Sequence, residues 1–284
     1  MKKSALIVLA SIIYTLGFGQ NNSKQYAHNL FRGTRIINGH SVETLKEGEM
    51  EMIIGHRFGR LNGGAYELFG IDQASIRLGL DYGIKNWVNV GIGRSSQGKA
   101  FDGFLKMRLL RQGAKGFGGS PVSVTAFSSI TYNSLKNPTP ERTLTAYNRL
   151  AYVHQLFIAR KITDHFSMQL MPTVAHYNLV DTRSERNDIM VMGVAGKYQV
   201  TKNLAVTSEY YYALPGHLPE NRQHSFSVGF DLNTGSHVFQ LHFTNSSGMI
   251  EKQFIGETTG VWGNGDIHFG FNMVRTFKLK GRRY

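Results

Sequence analysis

Twelve stretches of this sequence alternate apolar and polar residues with a period of two, and few folds accept that pattern so often. In ASIRLGLDYGIK, Ile76, Leu78, Leu80, Tyr82 and Ile84 stand against Ser75, Arg77, Gly79, Asp81 and Gly83. After Lys85 and Asn86 the pattern resumes, with Val88, Val90 and Ile92 against Asn89, Gly91 and Gly93. Successive side chains of a strand point to opposite faces, so this is a strand, a tight turn and a strand, greasy on one face and polar on the other. The same reading predicts strands over about 49–58, 73–84, 86–96, 101–111, 121–132, 144–160, 164–180, 187–200, 203–213, 222–232, 236–245 and 265–278. The stretches 144–160 and 164–180 are apolar on both faces in places, and their sides stay unassigned. Many glycines (32), few prolines (6) and 12% aromatic residues suit such an all-β chain.

The connections alternate in size. Short ones fall at Lys85-Asn86, Lys161 to His165, Thr201 to Asn203 and Asn233 to Ser236. Longer polar ones fall at Gly59 to Asp72, Asn133 to Arg142, Asp181 to Arg186, Pro215 to Asn221 and Ser246 to Asn264. Ser95 to Lys99 is short for the long class, and Gln112 to Ser120 is long for the short class. Short turns at one end, long loops at the other and an even strand number are the habit of transmembrane β-barrels. A soluble sandwich shows the same period. Strands of ten or more residues, the loop asymmetry and rim-type aromatics (Trp87, Tyr210, Tyr212) favour the membrane. In lipid every backbone polar group must find a partner within the protein, so a spanning sheet has to close.

The first residues, MKKSALIVLASIIYTLGFGQ, read as a signal peptide over 1–19, with Lys2 and Lys3 ahead of an apolar stretch and Gly17 and Gly19 before the cleavage point. No later run approaches the roughly 18 apolar residues of a membrane helix. The chain has no cysteine, which excludes disulfides, thiol chemistry and lipid attachment through an N-terminal Cys. The expected location is therefore the outer membrane, with both termini in the periplasm. The formal charge of +13, less the two leader lysines, leaves +11. Export takes the chain away from nucleic acid, so the basic excess suits outer-membrane lipid and lipopolysaccharide.

The segments FRGTRIINGHSVETLKEGEMEMIIGHRFG, GAYELFGIDQASIRLGLDYGI, GIGRSSQGKAFDGFLKMRLLRQ and RLAYVHQLFIARK resemble an uncharacterised family of outer-membrane β-barrels of Gram-negative bacteria, a domain of unknown function. The resemblance covers about residues 28 to 284. It implies a barrel and no particular activity. One departure is KGRR, which separates the last strand from Tyr284, where many such barrels end on an aromatic residue.

The polar faces carry Glu49, Glu51, Arg77, Asp81, Asp102, Lys106, Arg108, Lys197, Glu209, Asp231, His242, Asp266 and His268. Of these Arg77, Asp81, Asp102, Lys106, Arg108, Lys197, Glu209, His242 and His268 are taken as lumen-lining. The set mixes signs, so net charge does not argue for anion selectivity. Residues 20–48 are a periplasmic lead or a lumen plug, the lead being favoured, and 49–284 form the barrel. The run AYELFG in the first long loop is expected to fold over the mouth. His242, His268 and Asp266 fall on one face, but their spacing is no metal motif, and ordinary polar filling is the better account. His165 with Ser167 and His242 with Thr244 are the candidate hydrolytic pairs, neither with a third orienting group. GIGRSSQG and GAKGFGGS lack the spacing and the following helix of a phosphate loop.

The expectation is a transmembrane antiparallel barrel of about twelve strands without a cofactor, acting as a narrow pore for small solutes. The alternative is a non-conducting structural or receptor barrel that binds a partner through its long loops. A lipid or peptide hydrolase is the weaker alternative.

Overall fold

The computed structural model describes residues 25–114, 119–137, 144–235 and 237–279. The expected leader, 1–19, and the KGRRY tail lie outside the described residues. Twelve strands follow in chain order: β1 (Glu49–Arg60), β2 (Ala74–Lys85), β3 (Val88–Ser95), β4 (Ala100–Leu110), β5 (Ser123–Asn133), β6 (Leu150–Lys161), β7 (Phe166–Tyr177), β8 (Asp188–Gln199), β9 (Leu204–Ala213), β10 (Ser225–Asn233), β11 (His237–Thr244) and β12 (His268–Lys278). Each pairs antiparallel with its chain neighbours, and β1 pairs with β12, so the sheet closes. Closure leaves no unpaired edge. The main shortfall against the sequence reading is at β6, which starts at Leu150 rather than 144, because Tyr147–Arg149 form a 3-10 turn.

Alternation sorts the faces. Leu78, Leu80, Ile92, Met190, Met192, Phe230 and Leu241 point outward and stay exposed, Ile92 at 67%. A belt of this kind is stable only against an apolar medium. The inward residues of β1 are Glu51, Ile53, Gly55 and Arg57; those of β2 include Arg77 and Asp81.

The two unassigned strands are explained by what lies inside them. Ala151, Val153, Phe157 and Ala159 of β6 and Met171 and Ala175 of β7 face inward and are buried. All of these but Ala151 form one apolar cluster with Phe104, Phe127 and Tyr211 of the wall and with Leu30, Phe31, Ile36, Ile37 and Val42 of the segment before β1. On that side of the barrel the lumen is a dry core, so both strand faces are apolar.

The segment before β1 lies within the barrel. Its start runs beside the β4–β5 turn, where Tyr26 bridges to Gly113. It descends into the lumen as a hairpin with Arg35 bridged to His40 and the Ile36 N–H bonded to the Gly39 carbonyl. It then returns to the short-turn end, where Gly48 donates to Gly83. A Cβ at Gly39 would overlap the Tyr211 hydroxyl, so the tight approach there requires glycine.

From the other end the β11–β12 loop folds inward. It carries one short helix, α1 (Glu251–Gly256), whose Glu251, Gln253, Phe254, Ile255 and Gly256 are buried. Phe254 packs against Tyr211 with ring centroids 5.0 Å apart. The AYELFG run stays largely exposed. Tyr66 is 96% exposed, and Leu68, Phe69 and Ile71 project beside it. Leu68 and Phe69 adopt left-handed backbone (φ 45° and 52°).

Candidate functional site

A chain segment with no regular sheet partners must still satisfy its backbone groups when buried. The hairpin does so with side chains drawn from every side of the barrel. The N–H groups of Asn38 and Gly39 donate to the Glu209 carboxylate at 2.8 and 3.1 Å. Asn272 donates to the Ile37 carbonyl (2.8 Å), Gln240 to Ile36 (2.8 Å), Gln169 to His40 (2.9 Å) and Thr125 to Val42 (3.0 Å). Lys106 donates to the Glu43 carbonyl and Lys197 to that of Asn29. Asn38 bonds Ser227 Oγ (2.9 Å) and accepts from Arg57 Nη2 (2.7 Å). Thr34 bonds Glu51.

A buried ionic group joins three parts of the chain. Arg35 of the hairpin lies 3.4 Å from Glu251 of α1 and 4.0 Å from Asp81 of β2. His40 Nε2 is 3.5 Å from the same Glu251 oxygen. Arg77 grips Asp102 with two parallel bonds. The hairpin entering from one end and the helix entering from the other therefore meet at Glu251.

The nine residues expected to line the lumen all point inward, yet they meet the hairpin as well as one another. Arg77, Asp81 and Asp102 lie in the ionic group just described. Lys106, Lys197 and Glu209 hold hairpin backbone, and half-buried Arg108 lies 3.6 Å from Glu43. His242 is fully buried, and neither ring nitrogen has a hydrogen-bond partner. His268 donates Nδ1–H to the Phe58 carbonyl at 2.9 Å.

Asp266 ties the two loops at the long-loop end. It accepts from Val261 N–H, from Asn62 and from Arg60, and these bonds, the Val261 one foremost, hold its carboxyl below the usual range. Among the described residues no three His, Asp or Glu side chains gather so as to hold a metal ion.

The hydrolytic pairs also separate. His165 lies outside β7, and its ring bonds the Gln199 carbonyl, while Ser167 is buried inside. Thr244 accepts from Ser227 Oγ at 2.8 Å. A Ser–His contact that the sequence reading missed lies on the outer face, where Ser128 Oγ is 2.9 Å from His154 Nδ1. Register places the two opposite each other on β5 and β6. Their backbone N–H groups belong to the sheet, so no oxyanion donors are at hand, and the pair serves to satisfy two polar groups in an apolar belt.

Arg35, Arg57 and Glu251 were also missed. Arg57 continues the inward parity of Glu51, Ile53 and Gly55 and was readable. Arg35 and Glu251 lie outside any strand, where parity says nothing.

The family model described as "Membrane bound beta barrel domain (DUF5777)" matches residues 31–277. No curated protein matches the chain. Solved structures with a related arrangement include the KdgM porin, at TM-score 0.48 and 10% identity over 81% of this chain and 99% of that one. The NanC porin gives 0.49 and 9% over 81% and 100%. The COG4313 outer membrane channel from Pseudomonas putida F1 gives 0.48 and 14% over 83% and 98%.

Proposed function

The chain belongs to the membrane bound beta barrel domain family DUF5777, and from that premise we propose that it is an outer-membrane channel for small solutes, closed at rest by its own hairpin and by α1. The observation that carries this reading is the unequal lumen. Over β4 to β9 the wall carries the apolar cluster that packs the hairpin as a core would, interspersed with polar residues such as Lys106, Thr125, Gln169 and Glu209 that bond its backbone. Over β10 to β12 and β1 to β3 it is lined by Arg, Asp, Gln, Asn, Ser and Thr, a surface that water wets once the hairpin withdraws. A barrel with a purely structural role has no use for a polar wall behind a removable filling.

On this reading the short-turn end and both termini lie in the periplasm after removal of a leader. The long loops face outward, and the belt meets outer-membrane lipid and lipopolysaccharide. On this reading its role is passive, and the Ser128–His154 contact on the outer face is a paired polar group of the belt.

Liposome swelling in small sugars tests the proposal. The full chain is expected to give little swelling, and a chain lacking both residues 25–46 and α1 to give rapid swelling. The sheet should persist in both, because its ladder uses neither segment. Heat-modifiable migration on a gel reports that directly. A folded but impermeable deletion variant would remove the channel reading. The second reading, a receptor barrel, would then stand on the exposed apolar tip of Tyr66, Leu68, Phe69 and Ile71.

A further inference from the structure

The seam between the hairpin and the β12–β1–β2 wall holds a void of about 20 Å³. Arg35, Arg57 and Arg77 line it, with the amides of Asn38 and Asn272. The rest of its lining is Gly55 and apolar side chains, and no carboxylate reaches it. We propose that this void is a binding site for one small monovalent inorganic anion of halide size, held by the guanidinium groups of Arg35, Arg57 and Arg77.

The argument starts from what each arginine lacks. A guanidinium offers five N–H donors and no acceptor. Arg57 is 1% exposed and gives Nη1–H to the Ser246 carbonyl and Nη2–H to the Asn38 side chain, both at 2.7 Å. Both partners are neutral, and its Nε has none. Among the described residues no carboxylate lies within ion-pair distance of Arg57. Arg35 keeps Nε without a hydrogen-bond partner, while its Nη2 faces Asp81 at 4.0 Å. Buried charges are ordinarily paired, and buried donors ordinarily satisfied.

The nearby acids do not meet this need. Asp102 is gripped by Arg77, Asp81 and Glu251 lie 4.0 and 3.4 Å from the Nη atoms of Arg35, and Glu209 is held by two hairpin N–H groups; none of them lines the void. A water molecule in the void would accept one or two of the free donors but would leave the charge. A halide supplies both acceptor and countercharge. The volume suits one water-sized particle, which favours a halide over phosphate, sulfate and organic acids.

Access is provided on the same side. Arg57 also lines a wider groove of about 410 Å³ at the long-loop end, shared with Ser96, Gln97, Ser247 and His268. That groove is likewise free of carboxylates. An arriving anion therefore meets Arg57 first and passes it to reach the void. The site stands whether or not the barrel conducts.

Crystals of the full chain soaked in sodium bromide give the direct test, read by anomalous scattering at the bromine edge. The expected result is a peak in the void between the three arginines. Bromide found only elsewhere, or nowhere, overturns the proposal. A second readout is amide exchange of the hairpin in sodium chloride against sodium gluconate at equal ionic strength. At chloride ten times its Kd, protection of the hairpin should rise about tenfold, since binding stabilises the seated form by mass action. Arg57→Gln should abolish the difference. Equal protection in the two salts for the unaltered chain counts against the site even if the variant does not fold.

Discussion

Ile36→Ala is expected to loosen the hairpin by about 2–5 kcal/mol while leaving the barrel in place. Ile36 is 0% exposed and sits in the apolar cluster formed with Phe127, Phe157 and Met171. Truncation removes three carbons from a site whose walls are strands, which collapse poorly around a gap. At 1.4 kcal/mol per tenfold, protection of the hairpin amides from exchange should fall between about 30- and about 4,000-fold. The amides of the strands should keep theirs, because the ladders close without the hairpin. Parts of a protein that open separately show separate exchange free energies. Hairpin and strands losing protection together would mean that the filling and the wall form one cooperative unit.

Glu251→Ala should act on two segments at once. Removing one partner of a buried ion pair strands the other, at a cost of about 3–5 kcal/mol. Here the stranded groups are Arg35, left with Asp81 at 4.0 Å, and His40. Both belong to the hairpin, whereas Glu251 belongs to α1. The expected result is a parallel loss of exchange protection in the hairpin and in the α1 loop, larger than that from truncating exposed Tyr66. An effect confined to α1, or one below about 0.5 kcal/mol, the size usual for surface substitutions, would show that the two fillings are seated independently.

The strands were legible because period two survives any loop length, and the alternation of short and long connections gave the topology. β6 and β7 resisted assignment for a physical reason. Parity separates wet from dry, and both faces of those strands are dry, one against the outer medium and one against Phe31, Ile36 and Val42. The hairpin itself shows a turn at Asn38-Gly39 and a few apolar residues, which fit a periplasmic lead equally well. Its place is decided by Glu209, Gln240 and Asn272, more than 170 residues further along, and no local pattern carries that information. Charge misled in a related way. The lumen set mixes signs and is slightly acidic, yet Asp102, Glu251 and Glu209 are engaged by Arg77, by Arg35 and by hairpin N–H groups. Arg57 is left facing two carboxylate-free cavities.

The account rests on the hairpin filling the barrel, and thiol protection tests that most directly. The chain has no cysteine, so a single introduced one reports alone. Ile36→Cys in the folded barrel should be inert to a water-soluble maleimide and should react after denaturation, whereas Tyr66→Cys should react at once. Labelling of position 36 at the rate of position 66, in a barrel shown to be folded, would contradict the account and leave the lumen open.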